Sequence, residues 1–219
     1  MIKLYGVGFS YNVNKVRYCL NHLGLKYDWV QTNPMQGENK TEEFLRISPT
    51  GKIPAIEVDG IAIFESNAIN KFLATKNDSD LYPADLNRRV VVDQWLDYGA
   101  IHISNAMGRV MFNRILAPMI GAEVDEKSLK AGVDFLGLYL PICDKQLSKN
   151  KYLAGDKLTV ADINLLAILD PSEVGKIDLS HYTNVVKWRN GLKAQPFYQK
   201  CYKDFGLWLQ EAMSVQTTK

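Results

Sequence analysis

A chain of 219 residues with 47% hydrophobic and 23% charged side chains has the composition of an ordinary globular protein, long enough for one large core or two small ones. Its 26 Lys and Arg against 24 Asp and Glu leave a formal net charge of +2, which provides no basic footprint for nucleic acid. The three cysteines, Cys19, Cys143 and Cys201, are scattered and odd in number, unlike a disulfide framework or a zinc knuckle. No apolar secretory core forms before Gly6 and Gly8, and no stretch approaches the ~18 unbroken apolar residues of a membrane span. The expectation is a cytoplasmic protein without a membrane, nucleic-acid or metal partner.

Residues 2–6 alternate apolar and polar like a strand, and Val13, Val16, Leu20 and Leu23 then recur at helical spacing until Gly24. A second strand is predicted over residues 27–31, followed by a polar loop over residues 32–39 and a short helix near residues 40–47. Residues 55–58 and 61–64 flank Asp59-Gly60, the two-residue signal of a tight hairpin. Glu65 and Ser66 open a helix carrying Ile69, Phe72 and Leu73. The order β-α-β-α-β-β-α, a parallel pair followed by a hairpin, is that of an α/β thioredoxin-like domain, placed at residues 1–77 with a linker over 78–87.

Residues 88–219 read as an all-helical domain. A long amphipathic run covers about residues 87–116 and should stop at Pro118, because proline cannot continue a helix. Further helices are expected over residues 125–148, 181–192 and 196–213. Thr159-Val160-Ala161-Asp162 is a capping box, in which Thr159 caps backbone amides and Asp162 reaches back.

Several short constellations bear on chemistry. Ser10 lies between the first strand and first helix, where its hydroxyl serves either an anion-binding corner or merely a cap. Gly6-Val7-Gly8-Phe9-Ser10-Tyr11 lacks the third glycine of a dinucleotide fingerprint, and Asn12 stands where a hydrolase elbow needs its last glycine. Pro54 at the mouth of a strand cannot donate a ladder bond, so Ile53 is left to pair elsewhere; a cis Ile53-Pro54 bond would present it to an extended peptide. The alternative is an ordinary edge proline. Glu65 beside Ser66 suits an amino-acid head group bearing both charges, or is a plain cap.

The order and spacing of Ser48-Pro49-Thr50-Gly51-Lys52-Ile53-Pro54-Ala55, Ile63-Phe64-Glu65-Ser66-Asn67-Ala68-Ile69 and Lys151-Tyr152-Leu153-Ala154-Gly155-Asp156 resemble those of cytosolic glutathione S-transferases across nearly the whole chain. Ser10-Tyr11-Asn12-Val13 and Ala117-Pro118-Met119-Ile120-Gly121 make it similar to the phi type and its bacterial relatives. The resemblance implies conjugation of reduced glutathione, a co-substrate rather than a cofactor, to small hydrophobic electrophiles, with peroxidase activity as a variant. It implies that Ser10 is the catalytic hydroxyl and that Tyr5 is structural. Lys40 and Lys52 would bind the glycine carboxylate, Ile53 and Pro54 the cysteinyl unit, and Glu65 and Ser66 the γ-glutamyl unit. Asn39 replaces a histidine that phi enzymes commonly direct at the glycyl end. An electrophile pocket would draw on Tyr11, Met107, Met111, Phe112, Ile115 and Leu116, and the assembly would be a homodimer. A transferase-like binding or regulatory protein that has lost turnover is the alternative.

Overall fold

The computed structural model describes residues 1–201 together with 206, 207 and 210. The chain divides into two compact units, Met1–Ala84 with Gln195–Lys219, and Asp85–Ala194. In the first, β1 (Ile2–Gly6), α1 (Tyr11–His22), β2 (Tyr27–Gln31), α2 (Glu42–Ile47), β3 (Ala55–Val58), β4 (Ile61–Phe64) and α3 (Ser66–Lys76) follow one another in the order read from the sequence. The sheet runs β2-β1-β3-β4, with β1 parallel to β2 and antiparallel to β3, and β3 antiparallel to β4. This is the thioredoxin-like arrangement. Asp59 and Gly60 both have positive φ, 50° and 80°, which is the backbone that a tight hairpin matching the strand twist requires.

Alternation along β1 builds two cores. Tyr5 packs with Phe44 and Ile47 of α2 and with Ala55 on one face of the sheet. Gly6, on the opposite face with Leu4, lies against Val13 of α1: a Cβ added there would meet Val13 Cγ2 at 2.6 Å and Cγ1 at 2.9 Å. Only glycine lets α1 approach β1 this closely, and that approach fixes where the intervening loop holds Ser10. Gly6→Ala should therefore destabilise the first unit by about 1–3 kcal/mol, read as a lower thermal midpoint, because Val13 is fully buried and has no room to yield.

The polar loop after β2 is more ordered than its composition suggests. Two short 3₁₀ turns occupy Pro34–Gln36 and Glu38–Lys40, the first capped by the Asn33 side chain, and α2 begins at Glu42 behind a Thr41 cap.

The second unit contains α4 (Leu86–Tyr98), α5 (Ser104–Met111), α6 (Ala117–Ile120), α7 (Glu126–Leu147), α8 (Val160–Leu169) and α9 (Thr183–Lys193). All ten residues of α8 are buried, as an apolar helix without a polar face demands. The capping box forms, with Asp162 Oδ2 accepting from the Thr159 amide at 3.0 Å and from its hydroxyl at 2.9 Å.

Three expectations about the helical region change. The run over residues 87–116 is not one regular helix: π-helical turns at Gly99–Ile103 and Phe112–Leu116 divide it. Pro118 does not end it, because the π turn precedes a new short turn in which proline occupies an early position and its missing N–H costs nothing. The helical run stops at Gly121, whose φ of 69° breaks it. Met107 is fully buried and belongs to the core rather than to a pocket.

The boundaries also move. Asp85 accepts from the Arg88 amide at 2.9 Å, so α4 starts inside the expected linker. The segment from Gln195 groups with the first unit instead of the helical one. There α10 (Pro196–Gln199) sets Phe197 and Tyr198 against Tyr18, at 6.1 and 5.0 Å between ring centroids, and Asn21 Nδ2 donates to the Phe197 carbonyl at 3.1 Å. Most of the expected continuation toward residue 213 lies outside the described residues.

Candidate glutathione site

Strand register gathers the predicted residues. The C-terminal ends of β1 and β2 lie side by side, with Gly6 opposite Gln31, while Tyr5 pairs with Ala55 and Ala55 with Phe64. One end of the sheet therefore carries the loop to Ser10, the loop to Asn39 and Lys40, the Ile53-Pro54 corner and the Glu65-Ser66 step. Four separate stretches of sequence converge because a parallel strand pair and an antiparallel hairpin share one edge.

Ser10 caps α1, but loosely: its Oγ accepts from the Val13 amide at 3.4 Å. Among the described residues the hydroxyl proton has no acceptor, so it remains available to an anion at the helix N-terminus. The cap bond uses the oxygen and leaves the hydrogen, so capping does not compete with a role as donor. The Tyr5 hydroxyl is committed elsewhere. Tyr5 is buried, its OH donates to Glu57 Oε2, and burial together with the Glu57 carboxylate pushes its pKa well above the ordinary tyrosine value.

The Ile53-Pro54 bond is cis. Ile53 stands just outside the β3 ladder, and among the described residues neither its amide nor its carbonyl makes a backbone hydrogen bond. Its main chain is thus open to a peptide lying alongside. The approach loop is fixed by Ser48, whose Oγ donates to the Lys52 carbonyl at 2.9 Å, and by Asn39, whose Nδ2 donates to the Gly51 carbonyl at 2.6 Å. Gly51 has φ of 62°, a conformation for which glycine is the natural residue. Asn39 therefore holds the loop through its Nδ2, while its Oδ1 is buried without a partner among the described residues. Lys40 and Lys52 are exposed at this end of the sheet.

Glu65 adopts φ of 68° and its side chain does not cap α3, while Ser66 is buried in the first turn. The 11-residue α3 presents its N-terminus here, a setting that favours a carboxylate. Beneath it lies a residue with no signal in the sequence. Lys15 sits mid-helix on α1, where a lysine ordinarily reads as solvated, yet it is only 3% exposed. Its Nζ lies 5.6 Å from the Tyr11 ring centroid, and burial lowers its pKa to about 7 against the opposing pull of Glu65.

The residues expected to meet the electrophile fall in both units. Tyr11 is the half-buried first residue of α1. Phe112, Ile115 and Leu116 share the π turn after α5, with Phe112 43% and Leu116 37% exposed. Met111 is half-buried and turns its sulfur toward Gly175, 2.8 Å from where a Cβ there would be, so it packs against the protein. Among the described residues no group of three or more His, Cys, Asp or Glu could hold a metal, and no helix is long and apolar enough to cross a membrane.

Comparison with known proteins agrees with this geometry. The family model of the glutathione S-transferase N-terminal domain matches residues 1–75, and that of the C-terminal domain matches residues 105–196. Glutathione S-transferase 1 of Zea mays is 32% identical, with 91% of this chain and 94% of that protein aligned. Glutathione S-transferase F10 of Arabidopsis thaliana is 36% identical over 72% of this chain and 74% of its own. Among solved structures, maize glutathione S-transferase I in complex with an atrazine glutathione conjugate superposes with a TM-score of 0.84 at 32% identity, covering 91% of this chain and 95% of that one. Glutathione transferase F7 from Populus trichocarpa gives 0.85 at 29% identity, covering 92% and 97%. A thioredoxin-like first unit with an open cis-proline edge, a helical second unit and matches to both family domains make the chain a member of the glutathione S-transferase family.

Proposed function

We propose that this enzyme conjugates reduced glutathione to small hydrophobic electrophiles through a thiolate held by the Ser10 hydroxyl. The observation that carries the reading is the convergence, at one end of the sheet, of a hydroxyl with an uncommitted proton, the open backbone of Ile53 and the N-terminus of α3. These suit, respectively, a thiolate, a cysteinyl backbone and a γ-glutamyl carboxylate. Lys40 and Lys52 supply positive charge for the glycine carboxylate.

A free cysteine thiol has a pKa of about 8.5, and lowering it by about two units requires ~2.7 kcal/mol of preference for the anion. A hydrogen bond from a neutral donor to an anion contributes about 1.5–3 kcal/mol, and a helix N-terminus about 0.3–1 kcal/mol. Ser10 at the head of α1 supplies both, so it acts as a donor and need not be a base. Phe112, Ile115 and Leu116, which share one turn of the second unit with Phe112 and Leu116 exposed, offer adaptable apolar surface for the electrophile.

Ultraviolet titration with reduced glutathione, paired with a conjugation assay on a small aryl halide, tests the reading. Saturable thiolate absorbance at neutral pH with product formation is expected. A folded protein giving neither signal would overturn the assignment in favour of a non-catalytic binding protein. A cytoplasmic homodimer completes the proposal, supported by family membership and by three buried free cysteines that suit a reducing compartment.

A further inference from the structure

We propose that Lys15 is the buried counter-charge of this site, a positioning residue whose ammonium forms when glutathione binds, pairing with the incoming γ-glutamyl carboxylate and fixing Glu65 beside it. The inference rests on the glutathione reading above and concerns a residue that reading does not use.

Lys15 is 3% exposed, and among the described residues its Nζ makes no hydrogen bond and has no carboxylate within ion-pairing distance. A buried lysine in that state is costly as a cation, and the ordinary remedy is a partner. What faces it is the Tyr11 ring at 5.6 Å and, as the charged group acting on it, Glu65 at the head of α3. Other neighbours bring no competing charge. Asn70 of α3 donates through Nδ2 to the Lys15 carbonyl at 3.1 Å, and α10, also packed on α1, contributes Phe197 and Tyr198 elsewhere on the helix. Cys19, one turn further along α1, is fully buried, and burial pushes its thiol up, so it stays neutral.

Lys15 therefore lies 5.6 Å from a first-turn aromatic ring of α1, with the Glu65 carboxylate at the head of α3 acting on it but not in ion-pair contact. The ligand class that fits has a carboxylate at the α3 N-terminus and an amino group for Glu65, which is an amino-acid head group. Burial alone favours the neutral amine; an arriving carboxylate favours the ammonium. Binding then draws one proton from solvent onto Lys15 Nζ, no bond being broken in the ligand. The lysine is poised for this, since burial brings its pKa to about 7. Arginine in its place would carry the charge permanently and take up no proton.

Calorimetric titration of the wild-type protein with S-methylglutathione, which has no thiol proton to lose, in buffers of different ionisation enthalpy reads this uptake directly. Net uptake of a fraction of a proton per site is expected at pH 7.5, falling as the pH is lowered toward 6. Lys15→Arg should bind S-methylglutathione with uptake near zero, and Lys15→Met should bind it at least tenfold more weakly, with the folded state of each variant checked by thermal melting. Equal uptake in wild type and Lys15→Arg would overturn the assignment while leaving the glutathione site standing. Absence of saturable binding of either glutathione or its S-methyl form to the wild-type protein would instead remove the glutathione reading and this inference with it.

Discussion

Ser10→Ala should bind glutathione within about threefold of wild type yet lose most of the bound thiolate at neutral pH. Removing one donor to an anion costs about 1.5–3 kcal/mol, which corresponds to a fall in kcat of about 10- to 100-fold when the conjugation step limits turnover. The pH–rate profile should move to higher pH by about one to two units, because the helix N-terminus alone holds the thiolate less well. Folding should change little, since the bond that Ser10 makes to the Val13 amide is long at 3.4 Å. Steady-state kinetics against pH with ultraviolet titration of the variant check this, and an unshifted profile would show that another group ionises the thiol.

The second large effect belongs to the second unit. Asp162 is fully buried, and four donors meet its carboxylate: the amides of Leu153 and Thr159, the Thr159 hydroxyl and Trp188 Nε1, at 2.9, 3.0, 2.9 and 3.1 Å. It ties the start of α8 to the preceding turn and to α9. Asp162→Ala strands these donors in the core and should cost about 3–5 kcal/mol, lowering the thermal midpoint by roughly 10 °C for a chain of this size. Burial pushes the Asp162 carboxyl up to about 6, against the hydrogen bonds that lower it. The folded protein thus holds this proton more tightly than the unfolded chain, so the cost of the buried charge is full above pH 6 and is relieved as the pH falls from about 6 toward 4. Denaturant midpoints of wild type and Asp162→Asn should therefore separate further on acidification from pH 7 to 5. A constant difference would mean that the carboxyl titrates normally.

Some of this organisation is readable locally. Asp59-Gly60 announces its hairpin because few residues tolerate the left-handed backbone that the turn needs, and Thr159-Val160-Ala161-Asp162 announces the start of α8 because both partners of the box lie within one turn. Ser10, Glu65 and Ser66 stand out for a similar reason, each sitting where a helix begins. The π turns at Gly99–Ile103 and Phe112–Leu116 have no comparable signal, since one extra residue in a turn barely disturbs apolar periodicity. The segment from Gln195 reads as one more helix of its domain, and nothing local says that Phe197 and Tyr198 pack on Tyr18.

Local sequence was enough for the order of elements in the first unit, the capping box of α8 and the residue types able to meet a thiolate, a peptide edge and a carboxylate, because each depends on neighbours a few positions away. Packing across the first and second units, each within itself, set the rest: Asn39 holds the Gly51 loop, Met111 packs on Gly175, and Lys15 is buried with Glu65 acting on its charge. Those outcomes depend on which surfaces strand register and helix packing bring together. A lysine in an amphipathic helix carries the same local pattern whether the next layer of protein covers it or leaves it in water.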